Sequence, residues 1–345
     1  MKKMLMAAGL AALLTGCGGG GGGSDPSASE IQIVGSSTVY PFTTAVAEQF
    51  ERANPGSSVI VESTGTGSGM KLFCAGLGSD FPDVVNASRR MKRSEYDQCV
   101  EAGVEDIVEL AIGIDGLTLI QGADEEPLSL TTAQVYEALA ANPYGREQTA
   151  QNWSDIDPSL PDRPILVYGP PPTSGTRDSF AELILENGCD SNPEMEALAE
   201  ENKDEHTQVC TKIREDGVYV EAGENDNLLV QKVSQEAGAV GVLGFSFLEE
   251  NQDRVSAVTL NGVQPDADNI SSLEYVGARL LYIYVKGQHV DAKPALRQFV
   301  TAYKDAWQPG GRLSGAGLVP LNEAGRGESD SAADSLTPIS AGALD

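Results

Sequence analysis

The chain has 345 residues and a formal net charge of −28 at pH 7, from 23 lysine and arginine against 51 aspartate and glutamate residues. A chain this acidic lacks the basic surface that binding to nucleic acid requires, and the charge also argues against adsorption to anionic lipid. The composition, 41% hydrophobic and 6% aromatic, is that of a globular protein with sizeable cores. The length predicts two domains, although one large α/β domain would also fit.

The N-terminal segment is typical of an exported protein. Two lysines precede a short apolar stretch that ends at Leu14 and is too short to span a membrane permanently. The sequence LTGC at 14–17 resembles the bacterial lipobox, in which the cysteine is lipidated. We therefore predict a signal peptide over 1–16, a lipid on Cys17 and a glycine-rich tether over 17–30. The protein would then lie in the periplasm or at the cell surface, anchored to the membrane only through its lipid; an ordinary signal peptide is the alternative.

Four cysteines remain once Cys17 is assigned to the lipid: Cys74, Cys99, Cys189 and Cys210. In an oxidising compartment they can form two disulfides in three connectivities, and the pairs nearest in sequence are Cys74–Cys99 and Cys189–Cys210. Each loop would stabilise the fold by roughly 3 kcal/mol. A zinc site is the alternative, but the chain has no C-x-x-C, and neither His206 nor His289 lies at ligand spacing. The sequence therefore favours disulfides, and we predict no metal or cofactor.

Strand and helix patterns alternate along the chain, which predicts an α/β fold with a sheet covered on both faces. The apolar segments that predict or suit strands are 31–36, 59–63, 81–91, 108–120, 165–170, 238–248 and 278–285. Helical patterns cover 43–55, 70–76, 181–187 and 295–307. After about residue 325 the composition becomes rich in small polar residues, which predicts a disordered tail over 326–345.

Three turns follow one pattern, in which an apolar strand is followed by glycine with serine or threonine and then by a helix start. They are GSST (35–38), TGTGSG (64–69) and TSGT (173–176). Each turn offers hydroxyl groups and the backbone N–H groups that a helix start leaves unpaired, beside the positive end of the helix dipole. Such turns, brought together, would form an anion site. The alternative is that the hydroxyl residues are ordinary N-caps.

Two arginines lie beside these turns. Arg89 ends the third predicted strand, and Arg177 occupies the first turn of the helix after TSGT. A cation at a helix start is unfavourable unless a negative group lies between them, and a guanidinium group matches the oxygens of a tetrahedral anion. The alternative for Arg177 is a surface ion pair with Asp178 or Glu182.

Catalytic motifs are absent from the sequence. GTGSGMK lacks the spacing of a phosphate-binding loop of nucleotide hydrolases, and no G-x-S-x-G surrounds Ser68. Neither histidine has an evident serine or cysteine partner. We therefore predict a binding protein and not an enzyme.

The blocks GSSTVYPF, STGTGSGMKLF, DVVNASRRM, PTSGTRDSF and GAVGVLGFSF, in this order between about 31 and 325, resemble the phosphate-binding proteins of ABC phosphate importers. The resemblance implies a type II periplasmic-binding fold, with two α/β lobes joined by crossover segments near Asp115-Gly116 and Leu280–Tyr284. The first lobe would hold 31–116 plus 282–325 and the second 117–281. A monomer would capture inorganic phosphate between the lobes and deliver it to the permease subunits of an ABC transporter. The alternatives are a binding protein for another tetrahedral oxyanion, such as sulfate or molybdate, and a phosphate-sensing surface lipoprotein.

The resemblance also implies which residues meet the phosphate. They are Ser37, Thr38, Thr66, Ser68, Ser88 and Arg89 from the first lobe, and Ser174, Gly175, Thr176 and Arg177 from the second.

Two positions depart from the best-known family pattern. Arg89 replaces an aspartate that accepts the proton of hydrogen phosphate, and prolines replace an arginine before the Ser-Gly-Thr turn, so that Arg177 would supply the charge. An acceptor for the phosphate proton is what distinguishes phosphate from sulfate. Glu62, Asp178 and Asp226 are the candidates that the sequence leaves open.

Overall fold

The structure is a computed structural model that describes residues 30–223 and 225–344. The predicted signal peptide, the lipidated Cys17 and the tether as far as residue 29 lie outside the described residues. The strands are β1 (Glu30–Gly35), β2 (Ser58–Ser63), β3 (Val84–Ala87), β4 (Ile107–Gly122), β5 (Ser129–Leu130), β6 (Val167–Gly169), β7 (Tyr219–Glu221), β8 (Val240–Gly244), β9 (Val255–Ala257), β10 (Thr259–Leu260) and β11 (Ala278–Lys286).

The helices alternate with these strands, as the sequence predicts. They are α1 (Tyr40–Ala53), α2 (Thr66–Phe73), α3 (Arg93–Glu101), α4 (Thr132–Leu139), α5 (Trp153–Ile156), α6 (Gly175–Phe180), α7 (Asn187–Asp190), α8 (Pro193–Glu201), α9 (Lys203–Thr211), α10 (Asp226–Gln235), α11 (Phe245–Glu250), α12 (Ala267–Ser271), α13 (Gly287–Val290), α14 (Pro294–Ala306) and α15 (Glu323–Ser335). A π-helix over Ala181–Glu186 joins α6 to α7. Helix α1 begins earlier than predicted, because Pro41 fits the first turn of a helix.

The main sheet has the order β2-β1-β3-β11-β4-β8-β6-β7, and β9 also pairs with β4. Strand β4 has 16 residues and is almost wholly buried, as its continuous apolar sequence predicts. Its first part pairs with β11 and its second part with β8, antiparallel in both cases. A single long strand therefore runs through both halves of the molecule.

The apolar residues form separate cores around the first and the second half of this strand. The first lobe, as we use the term, contains the cores built on β1, β3 and β11, with Phe50, Phe299 and Tyr303 in edge-on ring contacts of 5.4 and 5.8 Å. The second lobe contains the core built on β6 and β8, which includes Trp153 and Phe180. The boundaries at 116/117 and 281/282 stay predictions.

Two glycines bring the first two Gly/Ser/Thr turns together. Gly35 ends β1 with φ of +129°, and a β-carbon there would lie 2.2 Å from the carbonyl oxygen of Asn86 on β3. A β-carbon on Gly69 would lie 2.6 Å from the α-carbon of Gly35. Only glycine allows backbones to approach this closely, and the start of α2 therefore lies against the end of β1.

Both predicted disulfides are present. Cys74–Cys99 links the end of α2 to α3, and Cys189–Cys210 links α7 to α9. The nearest-neighbour pairing predicted from the sequence is confirmed.

The prediction of a disordered tail over 326–345 is wrong for 326–344, the part of this segment that the structure describes. Helix α15 fills much of this segment, and Ala333 and Leu336 are buried in the first-lobe core. Its acidic residues bind the preceding helix, since the Trp307 indole N–H donates to Asp330 at 2.9 Å and the Lys304 ammonium donates to Asp334 at 2.7 Å. Small residues gave the segment a low hydrophobicity, but they also let the helix pack closely on its neighbours. No helix within 30–223 and 225–344 is both long and apolar enough to cross a membrane.

Candidate functional site

A cleft of about 660 Å³ opens between the two lobes. Its lining concentrates polar and charged groups from several elements: Gly65, Thr66, Gly67, Ser68, Ser88, Arg89, Lys92, Asp178, Ala181, Glu182, Glu186, Lys203, Thr207, Thr211 and Arg279. Four of these residues are basic and three are acidic, in a chain whose net charge is −28. The cleft therefore brings several basic side chains of this acidic protein close together.

The first-lobe wall of the cleft is formed by the start of α2 and the end of β3. The Thr66 hydroxyl lies 3.0 Å from the Ser88 hydroxyl and accepts the Ser88 backbone N–H at 3.1 Å. Ser68 lines the same wall in the first turn of α2, which begins after Gly65. These residues bring hydroxyl groups and the N–H groups of a helix start into one wall.

Arg89 also lines this wall, but its guanidinium group already has a partner. It donates to both carboxylate oxygens of Glu95, at 2.9 and 2.7 Å. This ion pair raises the pKa of Arg89 and keeps the pKa of Glu95 low against the opposing effect of burial. Glu95 therefore fixes the position of the Arg89 guanidinium group at the edge of the cleft and balances its charge.

The second-lobe wall contains Asp178 in the first turn of α6. Its carboxylate accepts a hydrogen bond from the hydroxyl group of Ser37 in the first lobe. Burial raises the pKa of Asp178, Glu182 adds to the rise, and the Ser37 hydroxyl with Arg279 and Arg177 opposes it. Asp178 is thus a strengthened proton acceptor that already receives an O–H donor across the lobes.

The helix starts of the two lobes touch each other. A β-carbon on Gly175 would lie 2.8 Å from the carbonyl oxygen of Ser37 and 3.0 Å from the α-carbon of Thr38. The Thr38 hydroxyl is 3.4 Å from the carbonyl oxygen of Gly175 and 3.3 Å from the Ser179 hydroxyl. The structure therefore has its lobes in direct contact at the starts of α1 and α6.

Arg279, at the start of β11, links these groups. Its guanidinium group donates to the Thr38 hydroxyl at 3.0 Å and to the Ser179 hydroxyl at 2.9 Å. It also forms ion pairs with Asp115 and with Glu182. The sequence analysis missed this residue, although an arginine opening the apolar run ARLLYIYV was a signal that could have found it.

The Ser-Gly-Thr turn of the second lobe faces a smaller cavity of about 210 Å³. Ser174, Gly175 and Thr176 line this cavity together with Thr38 and Asp115, among others. Ser174 also caps α6, since its hydroxyl oxygen accepts the N–H of Thr176 at 3.2 Å.

Eight of the ten predicted residues line one of these two cavities, and Ser37 and Arg177 line neither. Thr66, Ser68, Ser88 and Arg89 line the larger cleft, Thr38 and 174–176 line the smaller cavity, and Ser37 lies at the contact between the lobes.

Arg177 lines neither cavity. Its guanidinium group donates to the carbonyl oxygen of Pro170 at 3.1 Å, and its carbon Cζ lies 4.3 Å from the ring centre of Tyr219. The Tyr219 hydroxyl donates to the same Pro170 carbonyl at 2.9 Å. The positive charge of Arg177 is thus held on an aromatic face, where cations are stabilised, at the turn that precedes α6.

Comparison with known proteins identifies the fold. The sequence model of one protein family, described as the PBP superfamily domain, matches residues 21–302 of the chain. The chain belongs to the PBP superfamily. This membership and the α/β architecture confirm the periplasmic-binding-protein fold predicted from the sequence.

This PBP-superfamily chain is similar to two curated proteins and to one solved structure, described here by their names. "Protein SphX" of Synechococcus elongatus is 36% identical over 296 residues, which cover 83% of this chain and 76% of that protein. "Phosphate-binding protein PstS" of Staphylococcus saprophyticus is 27% identical over 337 residues, covering 96% and 92%. The crystal structure of "a possible phosphate binding protein" from Planctomyces limnophilus superposes with a TM-score of 0.73 at 28% identity, covering 89% of this chain and 98% of that one. The printed names of the second and third of these proteins describe phosphate binding.

The structure separates the three candidates for a proton acceptor in this PBP-superfamily chain. Glu62 is exposed on β2, and Asp226 lines the smaller cavity at the start of α10. Asp178 lines the larger cleft and touches both lobes. Among the three, Asp178 is therefore the candidate that lies at the contact between the two helix starts.

Proposed function

We propose that this protein is the substrate-binding component of an ABC phosphate importer and captures inorganic phosphate between its lobes. The names of its relatives support phosphate as the ligand. One observation carries the proposal: Asp178 accepts an O–H donor at the contact between two helix starts, with Arg279 and the hydroxyl groups of Thr66 and Ser88 lining the same cleft. A monohydrogen phosphate ion needs donors for its charged oxygens and one acceptor for its proton, and these groups provide both.

The bond between Ser37 and Asp178 suggests how the anion enters. In our proposal the P–O–H group takes the place of the Ser37 hydroxyl as the donor to Asp178. Ser37 is then free to donate to another phosphate oxygen. The phosphate contacts that the sequence predicts for Thr38, Ser68, Arg89 and 174–176 belong to the same proposal. Arg177 does not contact the phosphate in this proposal; it holds the turn before α6 in position.

The capture mechanism follows from the two lobes. Phosphate that contacts 31–116 plus 282–325 on one side and 117–281 on the other stabilises the closed arrangement against the open one. A permease that recognises the closed form would then receive only loaded protein. We propose that the protein performs this as a monomer and presents the closed form to the permease subunits of an ABC transporter.

The membrane anchor is a separate part of the proposal and depends on the sequence LTGC at 14–17. We propose that Cys17 carries the lipid and that 17–30 is the tether. Growth with radiolabelled palmitate should label the wild-type protein and leave Cys17→Ser unlabelled. Equal labelling of both chains, or none of either, contradicts the anchor without affecting the phosphate site.

The phosphate site is tested by crystallising the protein, freed of bound anion by unfolding and refolding, with millimolar phosphate. We expect one anion within hydrogen-bond distance of Asp178 and of hydroxyl groups from both lobes. An empty cleft at that concentration, or an anion bound to one lobe alone, contradicts the proposal.

A further inference from the structure

The disulfide between α7 and α9 lies within a cluster of four side chains of the types that can ligate a metal ion. One ligand atom each from Cys189, Asp190, His206 and Cys210 lies within 4.8 Å of the other three. Cys189, His206 and Cys210 are buried, and His206 Nε2 lies 2.7 Å from Asp190 Oδ1. This cluster is outside the anion cleft and has no part in the function proposed above.

The two helices explain why these side chains converge. His206 and Cys210 are four residues apart in α9, so both lie on the same face of that helix. Cys189 and Asp190 end α7, which the disulfide holds against that face. The sequence spacing argued against a zinc site, because the ligands come as pairs from two helices separated by α8. Their true arrangement is visible only in the fold.

The four donor atoms are of the kinds that bind zinc. Two cysteine sulfurs, one imidazole and one carboxylate are ligands that zinc takes in tetrahedral sites. The Asp190 side chain is 37% exposed, which gives an ion a path from solvent to ligands that are otherwise buried.

We propose that reduction of the Cys189–Cys210 disulfide converts this cluster into a zinc site formed by Cys189, Asp190, His206 and Cys210. A dithiol reductant supplies two electrons and two protons, so the disulfide becomes two thiols while the dithiol becomes a disulfide. Zinc then displaces the two thiol protons and forms two Zn–S bonds of about 2.3 Å. A tetrahedral site needs the two sulfurs about 3.8 Å apart, which rotation of the two side chains can provide.

The ion would preserve the link between α7 and α9 that the disulfide provides in the oxidised protein. This link matters for the cleft, since Glu186, Lys203, Thr207 and Thr211 line the cleft from the same helical segments. Glu186 is half-buried one turn before Asp190, and its carboxylate adds negative charge near the ion. A chain that has not yet formed its disulfides would thus keep the second-lobe wall in place by binding metal.

Two double variants give a matched test, since each lacks one disulfide. Cys74→Ser/Cys99→Ser keeps the proposed ligands, and Cys189→Ser/Cys210→Ser removes them. After reduction and anaerobic removal of the reductant, zinc chloride is added and a chromophoric chelator reports the free ion. We expect the reduced wild type and the first variant to retain one equivalent of zinc, and the second variant and the oxidised wild type to retain none.

A measurement on the wild-type chain keeps the test independent of folding in the variants. Cobalt(II) added to the reduced protein should give the charge-transfer absorption of a tetrahedral thiolate site, and zinc should abolish it.

His206→Ala should weaken zinc binding by more than the roughly 10- to 100-fold that loss of an outer-shell partner costs. Equal retention of zinc by both double variants, absence of the cobalt absorption, or unchanged affinity in folded His206→Ala each overturns the proposal.

Discussion

Arg279 and Asp115 face each other across β11 and β4, next to the point where β4 changes its pairing partner from β11 to β8. Their side chains form an ion pair with 3.4 Å between Nε and Oδ2. The same guanidinium group reaches Thr38 of the first lobe and Ser179 of the second. One side chain of β11 thus contacts residues at the helix starts of both lobes, and Asp115 fixes its orientation.

Replacing Arg279 should therefore weaken phosphate binding strongly. Arg279→Ala removes both a cleft charge and the contacts that hold the two helix starts together, and we expect the dissociation constant to rise on the order of 100-fold. Arg279→Lys keeps the charge without the planar fork and should recover only part of this loss. Calorimetric titration with phosphate measures both.

The control for this experiment is Arg93→Ala. Arg93 pairs with Asp97 on an exposed face of α3, and Arg93 does not line the cleft. Its replacement should change the affinity less than about twofold. An Arg279→Ala protein that binds phosphate as tightly as Arg93→Ala would refute the role given to the guanidinium group.

The close contact at Gly175 predicts that a larger residue there blocks closure. In Gly175→Val the new β-carbon would collide with the backbone of Ser37 and Thr38, so the lobes would be held apart. We expect phosphate to bind at least about tenfold more weakly. Small-angle X-ray scattering should show no compaction when phosphate is added.

Gly67→Ala is the matched control, since Gly67 also lines the cleft but a β-carbon there meets no atom within 4 Å. This variant should bind and close as the wild type does. The interpretation fails if Gly175→Val compacts with phosphate to the same extent as Gly67→Ala.

Because Lys286 is buried, we expect the free energy of unfolding to rise with pH. The ammonium group is buried beside Phe73 and Phe81 and donates to the carbonyl oxygen of Gly76. Burial lowers its pKa to about 8, although Asp83 acts in the opposite direction. Above that pH the unfolded chain retains a proton that the folded chain has lost, so the free energy of unfolding should rise, by up to about 2 kcal/mol between pH 8 and 9.5.

Denaturant unfolding of the wild type and of Lys286→Met at several pH values between 7 and 9.5 measures this effect. The methionine variant should lack the rise, because it has no group that titrates at this position. The interval ends below pH 10 because tyrosines in the unfolded chain then begin to ionise, while burial raises the pKa of Tyr282 and of Tyr219 to about 12 in the fold. Parallel curves for the two proteins would contradict the assignment.

Helix α15 predicts that the C-terminal segment stabilises the first lobe. Truncation after Leu321 removes the buried Ala333 and Leu336 and the partner of the Trp307 indole, and should cost on the order of 3 kcal/mol. Removal of 340–345 alone should cost much less, since the described part of that segment is largely exposed. Equal melting temperatures for the two truncated proteins would show that α15 contributes nothing.

Much of the fold could be predicted from the sequence, because its signals are local. The continuous apolar run of β4 and the alternation of strands with helices depend on residues that are close together in the sequence. The disulfides followed from nearest-neighbour spacing. The tail was mispredicted because its helix depends on contacts with Lys304 and Trp307, which composition does not reveal.

The site was predicted less completely, because its contacts join distant positions. Asp178 was one of three acidic candidates until its contact with Ser37, 141 positions away, distinguished it. Arg279 was hidden in an apolar strand, and Arg177 was expected near the anion although Pro170 and Tyr219 hold it elsewhere. Residue types at helix starts identify candidates for an anion site, but pairing across lobes decides which groups share one cleft.

Titration of the anion-free protein with phosphate and with sulfate by calorimetry, in the wild type and in Asp178→Asn, tests the central claim most directly. The wild type should bind one phosphate per chain and should bind sulfate at least about 100-fold more weakly, because sulfate has no proton for the Asp178 carboxylate. Asp178→Asn should lose most of this preference. Comparable affinities of the wild type for the two anions, or a preference that survives unchanged in Asp178→Asn, would contradict the account.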